Sequence, residues 1–313
     1  MEHNYINTVD INLGLERNAA DFIKRSEEVY MSRLREAAEK IYADRFERPL
    51  VLLSGPSGSG KTTSALRIAR ILASKGLVVH TISMDNYFLP GDSDSLPLDE
   101  NGNVDLESPH RVDIPLFSEH LKKLSECEPV EIPVFDFATQ RRTDFIPVNR
   151  KENEIIIIEG IHALNPEVTG SADDYTSCVY VSVRTRIRTS GGAIMHPRKI
   201  RLMRRLNRDR LFRSRSLEAV FGMYESVTRG EEKFIMPYKS RAAFDIDSFI
   251  AYEACVYKKM LLDELILADR KLRDTEDFNT MLRVLEELSP IDERLIPLDS
   301  LVREFVGGSC LQY

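Results

Sequence analysis

Residues Gly55, Pro56, Ser57, Gly58, Ser59, Gly60, Lys61 and Thr62 spell the pattern G-x-x-x-x-G-K-[ST]. Glycines in such a loop let backbone N–H groups turn inward around phosphate oxygens, and a helix that starts at its end directs a positive dipole end at them. Lys61 would reach the β and γ phosphates of ATP as a point charge. The Thr62 hydroxyl would ligate Mg2+, and Thr63 beside it completes the expected nucleotide-binding set. A chance glycine/serine turn has the same composition, but here an apolar run (50–53) precedes the loop and helical spacing follows it, which is the context that phosphate binding needs.

A phosphate cradle does not by itself separate kinases from ATPases or GTPases, so the acids matter. Asp85 follows an apolar stretch ending at Ser83, which places it at the carboxyl end of a sheet, where it could take a proton from a substrate hydroxyl, cap a helix or hold a metal-bound water. Glu159 ends the all-apolar run 155–158 and precedes Gly160, the place of an acid that meets the metal shell. Between Arg184 and Arg215 stand twelve Lys or Arg residues and one acid, Asp209. Such a stretch suits a lid that closes over transferring phosphates. A solvated helix face or an RNA contact is the alternative, although the interleaved aromatics that single strands favour are nearly absent.

These residues need elements to hold them. Residues 15–44 place Ile23, Tyr30, Leu34, Ala37 and Ile41 on one helical stripe, predicting a leading helix that ends before Pro49. Strands are predicted at 50–53, 77–83, 130–135, 155–158, 178–183 and near 244–250, and helices at 62–75, 116–124, about 197–228, near 252–268 and 275–287. Strand–helix alternation predicts an α/β fold with a mostly parallel sheet covered on both faces. The Pro-, Gly-, Ser- and Asp-rich stretch 89–109 is expected to be an irregular loop lining the substrate site.

The 313 residues carry 43 basic and 50 acidic side chains, a net charge of −7, which argues against nucleic-acid binding over the whole surface. Cys127, Cys178, Cys255 and Cys310 are scattered, with neither a disulfide framework nor a zinc site indicated. No stretch of about 18 apolar residues suggests a membrane span, and the N-terminus lacks the pattern of a secretory signal, so a cytoplasmic location is expected.

Several segments occur together and in order: the 55–62 loop, Asp85-Asn86-Tyr87-Phe88, Glu107-Ser108-Pro109, Ile132-Pro133-Val134-Phe135-Asp136-Phe137, Ile158-Glu159-Gly160-Ile161 and Arg204-Arg205-Leu206-Asn207-Arg208-Asp209. Over about residues 50–267 the chain resembles the uridine kinase and phosphoribulokinase family. The resemblance implies a three-layer P-loop NTPase fold with a helical lid; together with the leading helix and flanks that depart from short uridine kinases, the expected division is an N-terminal helical extension (1–48), a kinase domain (49–287, lid about 197–228) and a C-terminal tail (288–313). It implies ATP as donor, Mg2+ at Thr62 and Glu159, and Asp85 as general base, acting with Lys61 and Arg208. Glu107 would hold a ribose and Arg205 would contact it, while Arg208, Arg213 and Arg215 would embrace ATP and the moving phosphoryl group.

Tyr87, Phe135 and Gln140 complete the acceptor set by resemblance, Phe135 and Gln140 standing where the family reads a pyrimidine with Tyr and His. The acceptor is then a small molecule, expected to be a nucleoside of uridine or cytidine type, and a homo-oligomer is expected because related uridine kinases commonly form them. The tail, with Ile296-Pro297 and Arg303-Glu304-Phe305-Val306-Gly307-Gly308, resembles the kinase-like domain that some bacterial proteins carry behind a TGS-type region. Two rivals remain: a phosphorylated sugar or non-pyrimidine nucleoside as acceptor, the former served by the cations at 184–201, or a nucleotide-sensing, RNA-associated regulatory protein.

Overall fold

The computed structural model describes residues 4–100, 102–170, 172–268 and 275–312. In chain order β1 is Tyr5–Asn7, α1 Thr8–Asp44, β2 Leu50–Ser54, α2 Lys61–Ser74, β3 Val78–Ser83 and α3 Ile114–Ser125. Next come β4 Val130–Asp136, β5 Arg141–Val148, β6 Glu154–Glu159, α4 Pro166–Thr169, β7 Thr176–Ser182, β8 Arg186–Arg188 and β9 Ile194–Met195. The last third holds α5 Pro197–Arg213, α6 Leu217–Phe234, β10 Phe244–Asp247, α7 Glu253–Leu267 and α8 Glu276–Glu287.

Five strands form one parallel sheet in the order β10-β7-β2-β6-β3. Side chains alternate across it. Val51, Leu53, Ile155, Ile157, Val179 and Val181 enter a core with α1, α2, α7 and α8, while Leu50, Leu52, Ile156, Ile158, Cys178 and Tyr180 enter a second core with α3. Both faces are covered, which is why β2, β6 and β7 read as nearly unbroken apolar runs. The predicted α/β architecture with a parallel sheet is the one observed.

Three features differ from expectation. The strand at 130–135 lies outside the sheet and pairs antiparallel with β5, whose residues are mostly exposed and so left no apolar signal. The leading helix begins already at Thr8, with non-helical geometry at Asn18, and β1 ahead of it pairs with β8. Most consequential is α5, expected as the start of a mobile lid. Residues from Pro197 through Asp209 are largely buried, with Ile200 and Met203 fully so, so the root of the lid is part of the core, and only the turns beyond Asp209 and α6 present a mostly exposed surface.

Both flanks are built into the same core. Tyr30, Leu34 and Ile41 of α1 are fully buried, as are Leu301, Val302 and Phe305 near the C-terminus. Ser300 and Arg67 tie the two flanks together: the Ser300 hydroxyl donates to Glu27 of α1, and Arg67 of α2 donates through Nε to the Asp299 carbonyl at 3.0 Å. Among the described residues no helix is long and apolar enough to cross a membrane.

Candidate active site

β2 runs directly into the 55–60 loop, and α2 starts at Lys61. Gly58 (φ 72°) and Gly60 (φ 83°) adopt left-handed backbone that a side chain would strain. Space forbids one as well: a Cβ at Gly58 would lie 2.8 Å from the Arg201 carbonyl oxygen, and one at Gly60 would lie 2.5 Å from Leu301 Cδ1. At Gly55 a Cβ would sit 2.0 Å from the Val181 carbonyl oxygen, so the loop lies flat against β7. Lys61 folds back, Nζ 3.4 Å from the Pro56 carbonyl.

Thr62 Oγ1 lies 3.4 Å from Glu159 Oε1. Burial pushes the Glu159 carboxyl up to about 7 against the pull of Lys61, with Asp85 and Glu304 adding to the rise. A cation between hydroxyl and carboxylate would relieve that strain. Among the described residues no cluster of three His, Cys, Asp or Glu side chains could hold a metal alone. The donor set therefore suits Mg2+, which is commonly held by one or two carboxylates together with substrate phosphates and water.

Thr63 is placed differently from expectation. It is fully buried, and both its hydroxyl and its N–H (3.3 Å) donate to the Glu304 carboxylate, which the C-terminal segment folds back onto the third residue of α2. Nothing in the local sequence around Thr63 could announce this contact, because its partner is 241 residues away.

Asp85 stands where β3 and β6 end, in a short 3-10 turn spanning Met84–Tyr87. Burial raises its carboxyl, opposed by Lys61, Arg111, Arg213 and Arg208. In a 3-10 turn residues i and i+3 share one face, so Met84 and Tyr87 pack into the core together while Asp85, on another side of the turn, stays half-buried. Tyr87 therefore departs from its expected place at the acceptor: it is 1% exposed, its hydroxyl shares a hydrogen bond with His120 Nδ1 (3.0 Å), and its ring stands edge-on to Phe117 at 5.0 Å.

Glu107 packs on Gly230 of α6 so closely that a Cβ there would lie 2.2 Å from its own Cβ, which explains a glycine inside a helix. Burial pushes its carboxyl up to about 7, with Arg205 and Lys61 pulling the other way. Two neighbours were missed from sequence. Arg111 is buried and stacks over Phe88 at 4.6 Å; His162 is buried edge-on to Phe234, its imidazole pushed down to about 4 by burial and therefore neutral near pH 7. Beyond them Phe88, Phe135 and Phe137 form an edge-to-face cluster with centroids 5.3 to 6.3 Å apart. Phe135 is buried there, whereas Gln140, at the turn between β4 and β5, donates its amide to the Phe137 carbonyl instead of facing the cleft.

The lid arginines converge on one acid. Asp209 is fully buried and lies 2.9 Å from Arg208 Nη2, 3.1 Å from Arg215 Nη1, 3.3 Å from Arg213 Nη1 and 3.4 Å from Arg205 Nε. Burial alone would raise its carboxyl, but Arg208, Arg213 and Arg205 hold it below the usual range. Five more cations of the stretch are matched: Arg184 with Asp245, Arg198 with Glu232, Arg201 with Glu231, Arg204 with Glu253 and Arg210 with Glu264, while Arg186 and Arg188 lie over the Tyr5 ring. Much of the apparent excess is thus neutralised by acids from outside it.

The profile of the phosphoribulokinase / uridine kinase family matches residues 50–252. A uridine kinase from Staphylococcus aureus (strain JH9) is 33% identical over 194 residues, covering 62% of this chain and 84% of its own. The solved structure of a possible uridine kinase from Bacillus stearothermophilus aligns with a TM-score of 0.47 at 17% identity, over 69% of this chain and 98% of that one. Since the profile spans well over half of the chain, and the cradle, both strand-end acids and the arginine-bearing helix α5 all fall within it, the chain belongs to the phosphoribulokinase / uridine kinase family, whose members are phosphotransferases acting on a hydroxyl group.

Proposed function

We propose that the chain transfers the γ-phosphoryl of ATP to the 5′-hydroxyl of a nucleoside, with Asp85 taking the proton. The observation that carries the reading is the position of Asp85 at the carboxyl ends of β3 and β6, next to the Thr62–Glu159 pair and in the field of Lys61, Arg208 and Arg213. The glycine loop and Lys61 bind the phosphates, and Arg208, Arg213 and Arg215 offset charge on the transferring group. Thr62 and Glu159 would hold Mg2+, which would supply further neutralisation of the phosphate oxygens. Little covalent chemistry falls to the protein, whose task is positioning in line.

On the acceptor side Glu107 and Arg205 are the proposed ribose contacts. A ribose hydroxyl donates to a carboxylate, so the ionised form of Glu107 is the binding form. With its carboxyl near 7, acceptor KM is expected to fall as pH rises from 6 to 8 and then level off. The Glu107→Gln variant is expected to keep a high, pH-independent KM, and a wild-type profile that stays flat across 6 to 8 removes Glu107 from the site. The sign for stability is opposite: a carboxyl raised by burial lowers the unliganded protein's stability as pH climbs from the ordinary carboxylate range to about 7, above which the cost stays constant.

The acceptor base meets an apolar wall. Phe135 supplies no hydroxyl and the Gln140 amide is engaged on its own hairpin, so the base is held by aromatic packing, and discrimination among nucleosides is expected to be modest. This favours a broad nucleoside kinase over a strict pyrimidine reader. A phosphorylated sugar is less well served, because three of the six cations at 184–201, Arg184, Arg198 and Arg201, are paired with acids. The same pairing weighs against an RNA-binding patch. Acceptor-dependent ADP release measured over nucleosides and sugar phosphates tests the reading; turnover with a sugar phosphate and none with any nucleoside overturns it.

Glu304 adds a prediction for the donor. A carboxylate on the Thr63 N–H and hydroxyl occupies donors that a phosphate would use and repels its charge. Glu304→Gln is expected to lower KM for ATP several-fold with little change in acceptor KM. An increase would show instead that Glu304 supports the loop.

A further inference from the structure

Three successive carbonyls of the glycine loop are each held from behind. The Ser57 carbonyl accepts from Arg201 Nη1 at 3.1 Å, the Gly58 carbonyl from Arg204 Nη1 at 3.1 Å, and the Ser59 carbonyl from the Ser248 hydroxyl at 2.6 Å. The donors are themselves fixed. Arg201 is gripped by both oxygens of Glu231 at 2.7 Å. Arg204, fully buried, makes a bidentate pair with Glu253 (2.7 and 2.9 Å), donates to the Ser248 carbonyl at 2.7 Å and lies over the Phe305 ring at 5.2 Å. Ser248 in turn is hydrogen-bonded through its N–H to Ser182 at the end of β7 (3.0 Å).

A peptide plane is rigid and its C=O and N–H point in opposite directions. Pinning the carbonyls of residues 57, 58 and 59 outward therefore turns the N–H groups of residues 58, 59 and 60 to the other side. That of Ser59 closes a turn on the Pro56 carbonyl (3.1 Å), which leaves those of Gly58 and Gly60 directed at the cradle. Burying an arginine such as Arg204 is costly unless every donor is used; here the expense goes into a fixed loop.

We propose that Arg201, Arg204 and Ser248 are positioning residues that pre-set the phosphate-binding N–H groups, and that α5, which carries both arginines and also Arg205 and Arg208, is the rigid bar that fixes the cradle and the lid arginines in one frame. This rests on the reading of residues 55–63 as the phosphate cradle.

Two variants separate positioning from folding. Arg201→Lys keeps a charge opposite Glu231 but cannot also reach the Ser57 carbonyl, and Ser248→Ala removes only a hydroxyl. Losing one such bond is worth about 1 kcal/mol, so each variant is expected to weaken ATP binding about fivefold by calorimetry. Acceptor KM should stay near wild type and the melting temperature without nucleotide should fall by no more than a few degrees, a split that a purely structural role would not produce. If Ser248→Ala fails to fold, Arg201→Lys alone decides. Unchanged ATP affinity in the folded variants overturns the proposal, as does a loss matched by equal losses in acceptor KM and stability. Lys61→Met is run alongside: if it leaves ATP binding intact, the cradle reading itself has failed; if it abolishes binding while the two variants do nothing, only the positioning role has.

Discussion

Replacing Asp85 with Asn is expected to cut kcat by at least about a hundredfold while ATP still binds, the usual scale for removing a general base. The substitution keeps size and one hydrogen-bond acceptor but cannot take a proton. Burial raises the Asp85 carboxyl, and Lys61, Arg111, Arg213 and Arg208 pull it back. A base poised above an ordinary aspartate is better matched to an alcohol proton than one held low by its cations. The same burial means that the ionised carboxyl is a cost to the unliganded protein above the unfolded pKa, so the amide variant is expected to fold at least as well as wild type near neutral pH. Lost turnover would then report on chemistry. Single-turnover ADP formation and ATP affinity, measured on the same preparation, check it; near-normal turnover would remove Asp85 from the proposed role.

The parts of the molecule that were legible in the sequence are those whose physics is local. β2, β6 and β7 are covered on both faces and so appear as apolar runs, and the 55–62 loop carries its glycines where left-handed backbone requires them. What escaped depends on partners far along the chain. The excess of cations between Arg184 and Arg215 looked free because Glu231, Glu232, Asp245, Glu253 and Glu264, which neutralise much of it, all lie beyond residue 215. The motif places Tyr87 at the acceptor, but the 3-10 turn that presents Asp85 sends Tyr87, two residues later, into the core. β5 pairs with β4 through a mostly exposed face, which gives no hydrophobic period to read. The tail resembled a family feature without a visible task; packed against Gly60 through Leu301 and against Thr63 through Glu304, it forms part of the wall behind the loop.

The second large effect is expected at Asp209, the acid that stood alone among the arginines. It touches four guanidinium groups, and of these Arg205 lies beside Glu107 while Arg208 and Arg213 act on Asp85. Asp209 therefore sets where the lid charges sit before any phosphate arrives. Asp209→Asn leaves those cations within reach of one another without the one acid that all four touch. Like charges a few ångströms apart repel strongly in a partly dry site, so the arginines should swing toward solvent. Removing one preorganised donor from a transition state commonly costs about 10² to 10³ in kcat; because three proposed phosphate-facing arginines move together, a loss of at least about 10² is expected, with a rise in acceptor KM as Arg205 leaves Glu107. The pH profile provides the discriminating readout: without Arg205 beside it the Glu107 carboxyl rises further, and the pH at which acceptor KM falls should shift upward. A variant with reduced kcat but an unshifted acceptor profile would show that Asp209 orders only the phosphate side, and one with wild-type kcat would show that the arginines find their places without it.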